Sequence, residues 1–150
     1  MPEPKEFNIS VDIHAPARRV YDVMADVERW AEWTESIRSI KRLDSGPLAV
    51  GSRARVFQPR LLPAVFEVVA LENGKGFTWV TSSLGVTATA DHWVETIGDG
   101  SRARLSVKFH GLLGRLAAAM TRSLTEHYLE LEAAGLKRRC EGQSSAPQAA

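Results

Sequence analysis

Residues 112–140 read LLGRLAAAMTRSLTEHYLELEAAGLKRRC, and this helix-forming stretch decides the fold. Its apolar positions Leu113, Leu116, Ala117, Met120, Leu124, Leu131 and Ala134 recur at three- and four-residue spacing, with His127 in the same stripe. That period predicts one long amphipathic helix with a single buried face. It follows a series of strand-like stretches, so the helix is expected to close over a sheet. A curved sheet gripping a helix with a histidine on its inner stripe can enclose a small apolar chamber.

Working outward, Phe7, Ile9, Val11 and Ile13 alternate with Asn8, Ser10, Asp12 and His14, the period of a half-buried strand. The strand stops at Ala15-Pro16. Pro16 suits the first turn of a helix, and Val20, Val23, Met24 and Val27 follow at helical spacing. Asp26 is placed to cap a second short helix carrying Glu28, Trp30 and Trp33. Further strands are predicted at Ile37–Leu43, Ser52–Gln58, Ala64–Leu71, Gly76–Ser82, Val86–Ile97 and Arg102–His110. Turn-rich breaks separate them, among them Asp44-Ser45-Gly46-Pro47 and Gly98-Asp99-Gly100. Connections this short favour antiparallel neighbours. The expected fold class is α+β: a seven-stranded curved antiparallel sheet wrapped around a long C-terminal helix, with two short helices after strand 1, a helix-grip architecture.

A chain of 150 residues is expected to form one domain over residues 7–142, with flexible ends at 1–6 and 143–150. Lys plus Arg total 19 against 18 Asp plus Glu, so no global field for nucleic acid or an acidic membrane follows. Arg53, Arg55, Arg60, Arg102 and Arg104 form either a local basic face or the solvated side of the sheet. The single cysteine, Cys140, excludes an internal disulfide and any multi-cysteine metal site. The opening Met-Pro-Glu-Pro-Lys-Glu lacks the pattern of a secretory signal, and no apolar run approaches the roughly 20 residues needed to span a bilayer. A soluble cytoplasmic protein without stable membrane insertion is the expectation. Self-association stays open.

The run from Ile13 to Trp33, IHAPARRVYDVMADVERWAEW, resembles the opening of the polyketide cyclase/dehydrase and lipid-transport group within the START-related SRPBCC superfamily. Gly51 opening a strand, the Gly98-Asp99-Gly100-Ser101 hairpin leading into Arg102-Ala103-Arg104-Leu105, and the closing amphipathic helix extend the likeness over about Phe7 to Gly142. The resemblance implies the helix-grip fold and an internal cavity for a hydrophobic ligand. It does not choose a reaction, because proteins of this kind include carriers, cyclases, hydrolases and partner-binding regulators.

His127 is either a core histidine satisfied by a backbone carbonyl or a donor to a ligand oxygen, and in an enzyme a general base. Val86, Ala88, Ala90, His92 and Val94 share one strand face, which comparison with the family's alternation points inward. A one-residue slip would send His92 to solvent. Two histidines without further ligands make a poor zinc site, so no metal is expected. No nucleophile elbow, phosphate-cradling loop or dinucleotide fingerprint is present, and no cofactor is expected. His14 and His110 lie near strand ends.

Phe57, Phe66, Trp79 and Phe109 on strands, facing Leu116, Met120 and Leu124 on the helix, form the candidate ligand-binding set together with His92 and His127. Leu61 and Leu62, held between Pro59 and Pro63, line a portal or meet a membrane or partner; Trp30 and Trp33 are the candidate opposite lip. A close-packed core with no void is the competing expectation. Three functions follow. The first is binding or transport of a small hydrophobic molecule: a lipid, polyketide or aromatic metabolite. The second is a cyclase or dehydratase using His92 or His127 as acid/base and Trp79 or Tyr128 to position a ring. The third is a partner-binding regulator.

Overall fold

In the computed structural model, which describes residues 5–145, the alternating segments form seven strands. They are β1 (Lys5–Ile13), β2 (Ser39–Arg42), β3 (Arg53–Phe57), β4 (Ala64–Glu72), β5 (Gly76–Ser83), β6 (Val86–Ile97) and β7 (Gly100–His110). All pair antiparallel in the order β1-β7-β6-β5-β4-β3-β2, so the meander from β2 to β7 is completed by β1 beside β7. The α-helix α1 (Ala17–Ala25) and a 3-10 helix (Val27–Glu32) carry the chain from β1 to the far edge. After β7 come α2 (Gly114–Met120) and α3 (Arg122–Ser145), which packs against β1, β7 and α1. This is the helix-grip arrangement. The loose ends foreseen at 1–6 and 143–150 fall largely outside the described residues; Lys5 and Glu6 already belong to β1, and the helix backbone continues to Ser145.

Alternation decides the faces. Ala54 and Val56, Val68, Phe77 and Trp79, Ala90, His92 and Val94, and Ala103 and Leu105 are buried on the concave side. In β4 the register shifts between Val68 and Ala70. That bulge leaves Val69 outside the count and returns Leu71 to the inner side opposite Phe77, as an extra residue in one strand must. Trp93, whose parity conflicts with an apolar inner face, lies on the outer side across Gly76. A Cβ at Gly76 would stand 2.7 Å from the Trp93 indole. Its Nε1 donates to Thr78 Oγ1 at 3.0 Å. The outer arginines are the solvated face: Arg102 pairs with Asp12 and Arg104 with Glu95, both at 2.7 Å.

Two short elements differ in detail from expectation. Pro16 is the N-cap of α1 rather than its first helical residue, and its carbonyl accepts from the Arg19 and Val20 amides. The second short helix is 3-10, with no side-chain cap from Asp26. The 3-10 turn buries Val27 and Trp30, and Trp30 Nε1 donates to the Met24 carbonyl at 2.9 Å.

The largest correction concerns the C-terminal segment. It is two helices, broken at Thr121, whose Oγ1 donates to the Ala117 carbonyl at 2.7 Å. A threonine hydroxyl bonded back to the preceding turn competes with the helix ladder and bends it. α2 is held to the β5–β6 hairpin by the Leu113 amide donating to the Gly85 carbonyl at 2.9 Å. Its Leu116 and Met120 are 56% and 76% exposed. The buried side of α3 is Tyr128, Leu129, Glu132, Ala133, Leu136 and Cys140, and His127 faces solvent.

Gly135 sets that rotation. A Cβ there would stand 1.9 Å from the Trp33 carbonyl oxygen, so the helix meets the end of the 3-10 turn backbone to backbone. On an exposed helix, alanine would be about 1 kcal/mol better than glycine. Here overpacking against an immovable carbonyl costs about 1–3 kcal/mol and wins. Gly135→Ala is therefore expected to destabilise the fold by up to about 2 kcal/mol in urea denaturation. An unchanged or raised midpoint would show that the contact does not position α3.

Candidate functional site

Between the sheet, the 3-10 helix and α3 lies a pocket of about 570 Å³. Its deep wall is formed by buried residues: Trp30, Ile37, Val56, Trp79, Ala90, His92, Leu129 and Glu132. Phe66, Ala88, Val107 and Phe109 line its middle, and Arg60, Leu61, Leu62, Pro63 and Ser83 surround the exposed mouth. Leu62 is 86% exposed. The Tyr128 hydroxyl donates to the Pro59 carbonyl and ties the mouth loop to α3. A loop residue, Arg60, adopts φ 69°, the left-handed conformation that lets the chain turn between the two prolines.

The aromatic wall is continuous. Ring centroids of Phe66 and Trp79 lie 5.1 Å apart, and those of Trp30 and Trp79 lie 5.7 Å apart. His92 stacks on Phe77 at 4.9 Å and receives the edge of Trp30 at 4.9 Å. Such tilted and edge-on contacts are the favoured arrangements of quadrupolar rings.

Of the residues singled out in the sequence, Phe66, Trp79, His92, Phe109, Leu61, Leu62 and Trp30 meet at this pocket. Trp30 belongs to its deep wall, at 2% exposure, and not to a lip. Trp33 is buried against Trp30 and α3 and lines a separate surface groove with Arg18 and Arg139. Phe57 has the opposite parity to the pocket-lining Val56 and sits on the other sheet face. Leu116, Met120 and His127 are exposed, and Leu124 is half-buried outside the lining. The break at Thr121 sets Leu116 and Met120 of α2 apart from the lining, and the rotation of α3 fixed at Gly135 leaves out Leu124 and His127. Among the described residues no cluster of three His, Cys, Asp or Glu suits a metal ion.

The residue missed is Glu132. Glu132 lines the pocket at 8% exposure. Its signal was a second stripe at three- and four-residue spacing, running Thr125, Tyr128, Glu132, Leu136 and Cys140, with one charged member. Ser36 Oγ donates to Glu132 Oε2 at 3.1 Å, and Thr34 Oγ1 lies 2.9 Å from Ser36 Oγ. When Glu132 is ionised, Ser36 must donate to it, which leaves Thr34 to donate to Ser36. Burial pushes the Glu132 carboxyl from 4.5 up to about 7, only partly opposed by the Ser36 bond. Burial also holds the His92 imidazole down from 6.5 to about 4, with the Asp91 charge opposing. Its Nδ1 has no hydrogen-bond partner among the described residues. Near neutral pH the pocket therefore holds an uncharged imidazole and a carboxyl close to half-ionisation.

A seven-stranded antiparallel sheet closed by a C-terminal helix defines the helix-grip class, and sequence comparison places the chain within it. Residues 4–141 match the family described as polyketide cyclase/dehydrase and lipid transport, and the chain belongs to that family. No curated protein matches it. Among solved structures, a START superfamily protein from Mycobacterium smegmatis superposes with a TM-score of 0.75 at 16% identity, covering 92% of this chain and 98% of that one. The Zhui aromatase/cyclase of Streptomyces sp. R1128 gives 0.71 at 14% identity, covering 91% and 96%. Truncated norcoclaurine synthase from Thalictrum flavum gives 0.70 at 14% identity, covering 91% and 92%. Identities this low show the shared fold alone.

The two displaced titrations have opposite consequences for stability. Glu132, raised, adds stability that is full below pH 4.5 and is lost as pH rises through about 7. His92, lowered, adds stability that is full above pH 6.5 and is lost as pH falls through about 4. In the overlap the slopes oppose. Glu132→Gln removes one of them, so the variant is expected to gain on the wild type by up to about 1.4 kcal/mol per pH unit between pH 4.5 and 7. Urea melts across that range measure it, and parallel profiles would contradict the burial of an ionisable carboxyl.

Proposed function

We propose that the chain binds a small hydrophobic molecule, a lipid, polyketide or aromatic metabolite, in the pocket enclosed by the sheet and α3. The observation that carries this reading is a space of about 570 Å³ walled by Trp30, Phe66 and Trp79 and mouthed by exposed leucines. Ligand pockets are concave, largely apolar, and supplied with a few orienting polar groups. His92 and Glu132 are those groups here. Leu61 and Leu62 give an apolar ligand a path that avoids full exposure to water. Family membership supports the same ligand class, and the reading calls for no metal or cofactor.

A second reading, acid/base catalysis of the cyclase or dehydratase type, gains from one observation. Two titratable groups displaced in opposite directions share the pocket. A carboxyl close to neutrality is suited to giving and taking a proton, and a neutral imidazole accepts one. Glu132 and His92 carry this reading, and the exposed His127 plays no part in it. Two of the similar structures are named as a cyclase and a synthase, in keeping with such chemistry on this fold.

N-phenyl-1-naphthylamine, a fluorescent apolar probe, is expected to bind saturably. Ala88→Trp, which fills the middle of the pocket, should weaken binding by at least about tenfold with the circular dichroism spectrum unchanged. Equal binding by the variant would place the probe elsewhere and remove the support for an internal site. Solvent extraction of the purified protein followed by mass spectrometry is the complementary measurement, with an apolar molecule as the expected product.

A further inference from the structure

Glu132 is treated unlike the acids that pair with arginine or lysine. Asp12, Glu32 and Glu141 are each held low chiefly by hydrogen bonds from Arg102, Arg139 and Lys137. Glu132 sits deeper than any of them, yet among the described residues no arginine or lysine forms an ion pair with it; its contact is a neutral serine. Buried charges are normally paired, because an unpaired one forfeits its hydration without compensation. The surrounding wall suits a cation: Trp30, Phe66 and Trp79 present aromatic surfaces to the same space, and ring faces attract positive charge. His92, the other titratable group of the deep wall, is neutral and offers no repulsion.

We propose that the ligand of this chamber is an organic amine, its protonated nitrogen set against Glu132 and its apolar, ring-bearing body held among Trp30, Phe66 and Trp79. This rests on the hydrophobic-ligand reading and narrows it. A carboxylic acid of the same shape is disfavoured, since it would oppose a second carboxylate to Glu132. A neutral alcohol fits but leaves the carboxylate uncompensated.

Binding is then linked to pH, because the amine requires the ionised carboxyl. The titratable groups lining the chamber besides Glu132 are His92 of β6, Tyr128 of α3 and Arg60 of the β3–β4 loop. The 3-10 helix, the Ser36 turn and β7 contribute no titratable side chain to the lining.

Three probes with one ring system decide the matter by calorimetry at pH 8: 2-(1-naphthyl)ethylamine, 2-(1-naphthyl)ethanol and 1-naphthylacetic acid. The amine is expected to bind at least about tenfold tighter than the alcohol, with the acid weakest. Glu132→Gln should reduce the amine to the alcohol's affinity in the same variant. On the wild type alone, amine affinity should fall about tenfold from pH 8 to pH 6 while that of the alcohol stays level, a readout independent of how the variant folds. An alcohol that matches the amine, or an amine preference that survives Glu132→Gln, would overturn the assignment while leaving a hydrophobic site in place. Binding of none of the three would overturn both readings.

Discussion

The backbone contact between α3 and the end of the 3-10 turn governs what the interior contains. At Gly135 the missing side chain lets the helix meet the Trp33 carbonyl, where a Cβ would lie 1.9 Å from the oxygen. Once that edge is seated, helical geometry leaves no choice about the others. Leu136 and Cys140 go into the core, Ala133 packs beneath, and Glu132 turns towards the sheet. Burial of Leu136 alone contributes about 2 kcal/mol, so the seating is held by apolar area as well as by shape. The same contact brings Trp30, adjacent to Trp33 at 5.5 Å between rings, into the wall of the pocket.

The deep wall of the pocket that results is apolar with two exceptions of opposite acid/base character. His92 lies between aromatic rings on a central strand, and Glu132 faces the same space from the helix. Both are displaced chiefly by loss of water, so each is pushed towards its uncharged form. A protein that merely needed a core would have little reason to keep either. Polar groups this deep are costly to maintain, and they concentrate where a fold binds or transforms something.

Strands were legible because alternation and turn chemistry agree: the six predicted after the first coincide with observed strands to within a few residues, and His92 falls inside as its parity requires. Phe57 shows the cost of judging a residue by type and not by parity, since Val56 beside it occupies the inner position. The helix was harder. Its true stripe mixes Leu129 and Leu136 with alanine, tyrosine, glutamate and cysteine, which hydropathy scarcely separates from the flanking residues, whereas Leu116 and Met120 of α2 lie beyond the break at Thr121 and keep a different phase. A one-residue rotation exchanged His127 for the Tyr128 and Glu132 side. The close approach at Gly135 that fixes this rotation is a tertiary contact, with no local period to announce it.

The chain's lone thiol is fully buried on the seated side of α3, and burial raises Cys140 to about 11. The reactive thiolate is therefore scarce at physiological pH, and oxidants or electrophiles find neither charge nor access. Reactivity returns only when the C-terminal helix lifts from its bed, which makes this sulfhydryl an internal witness to whether the grip is closed.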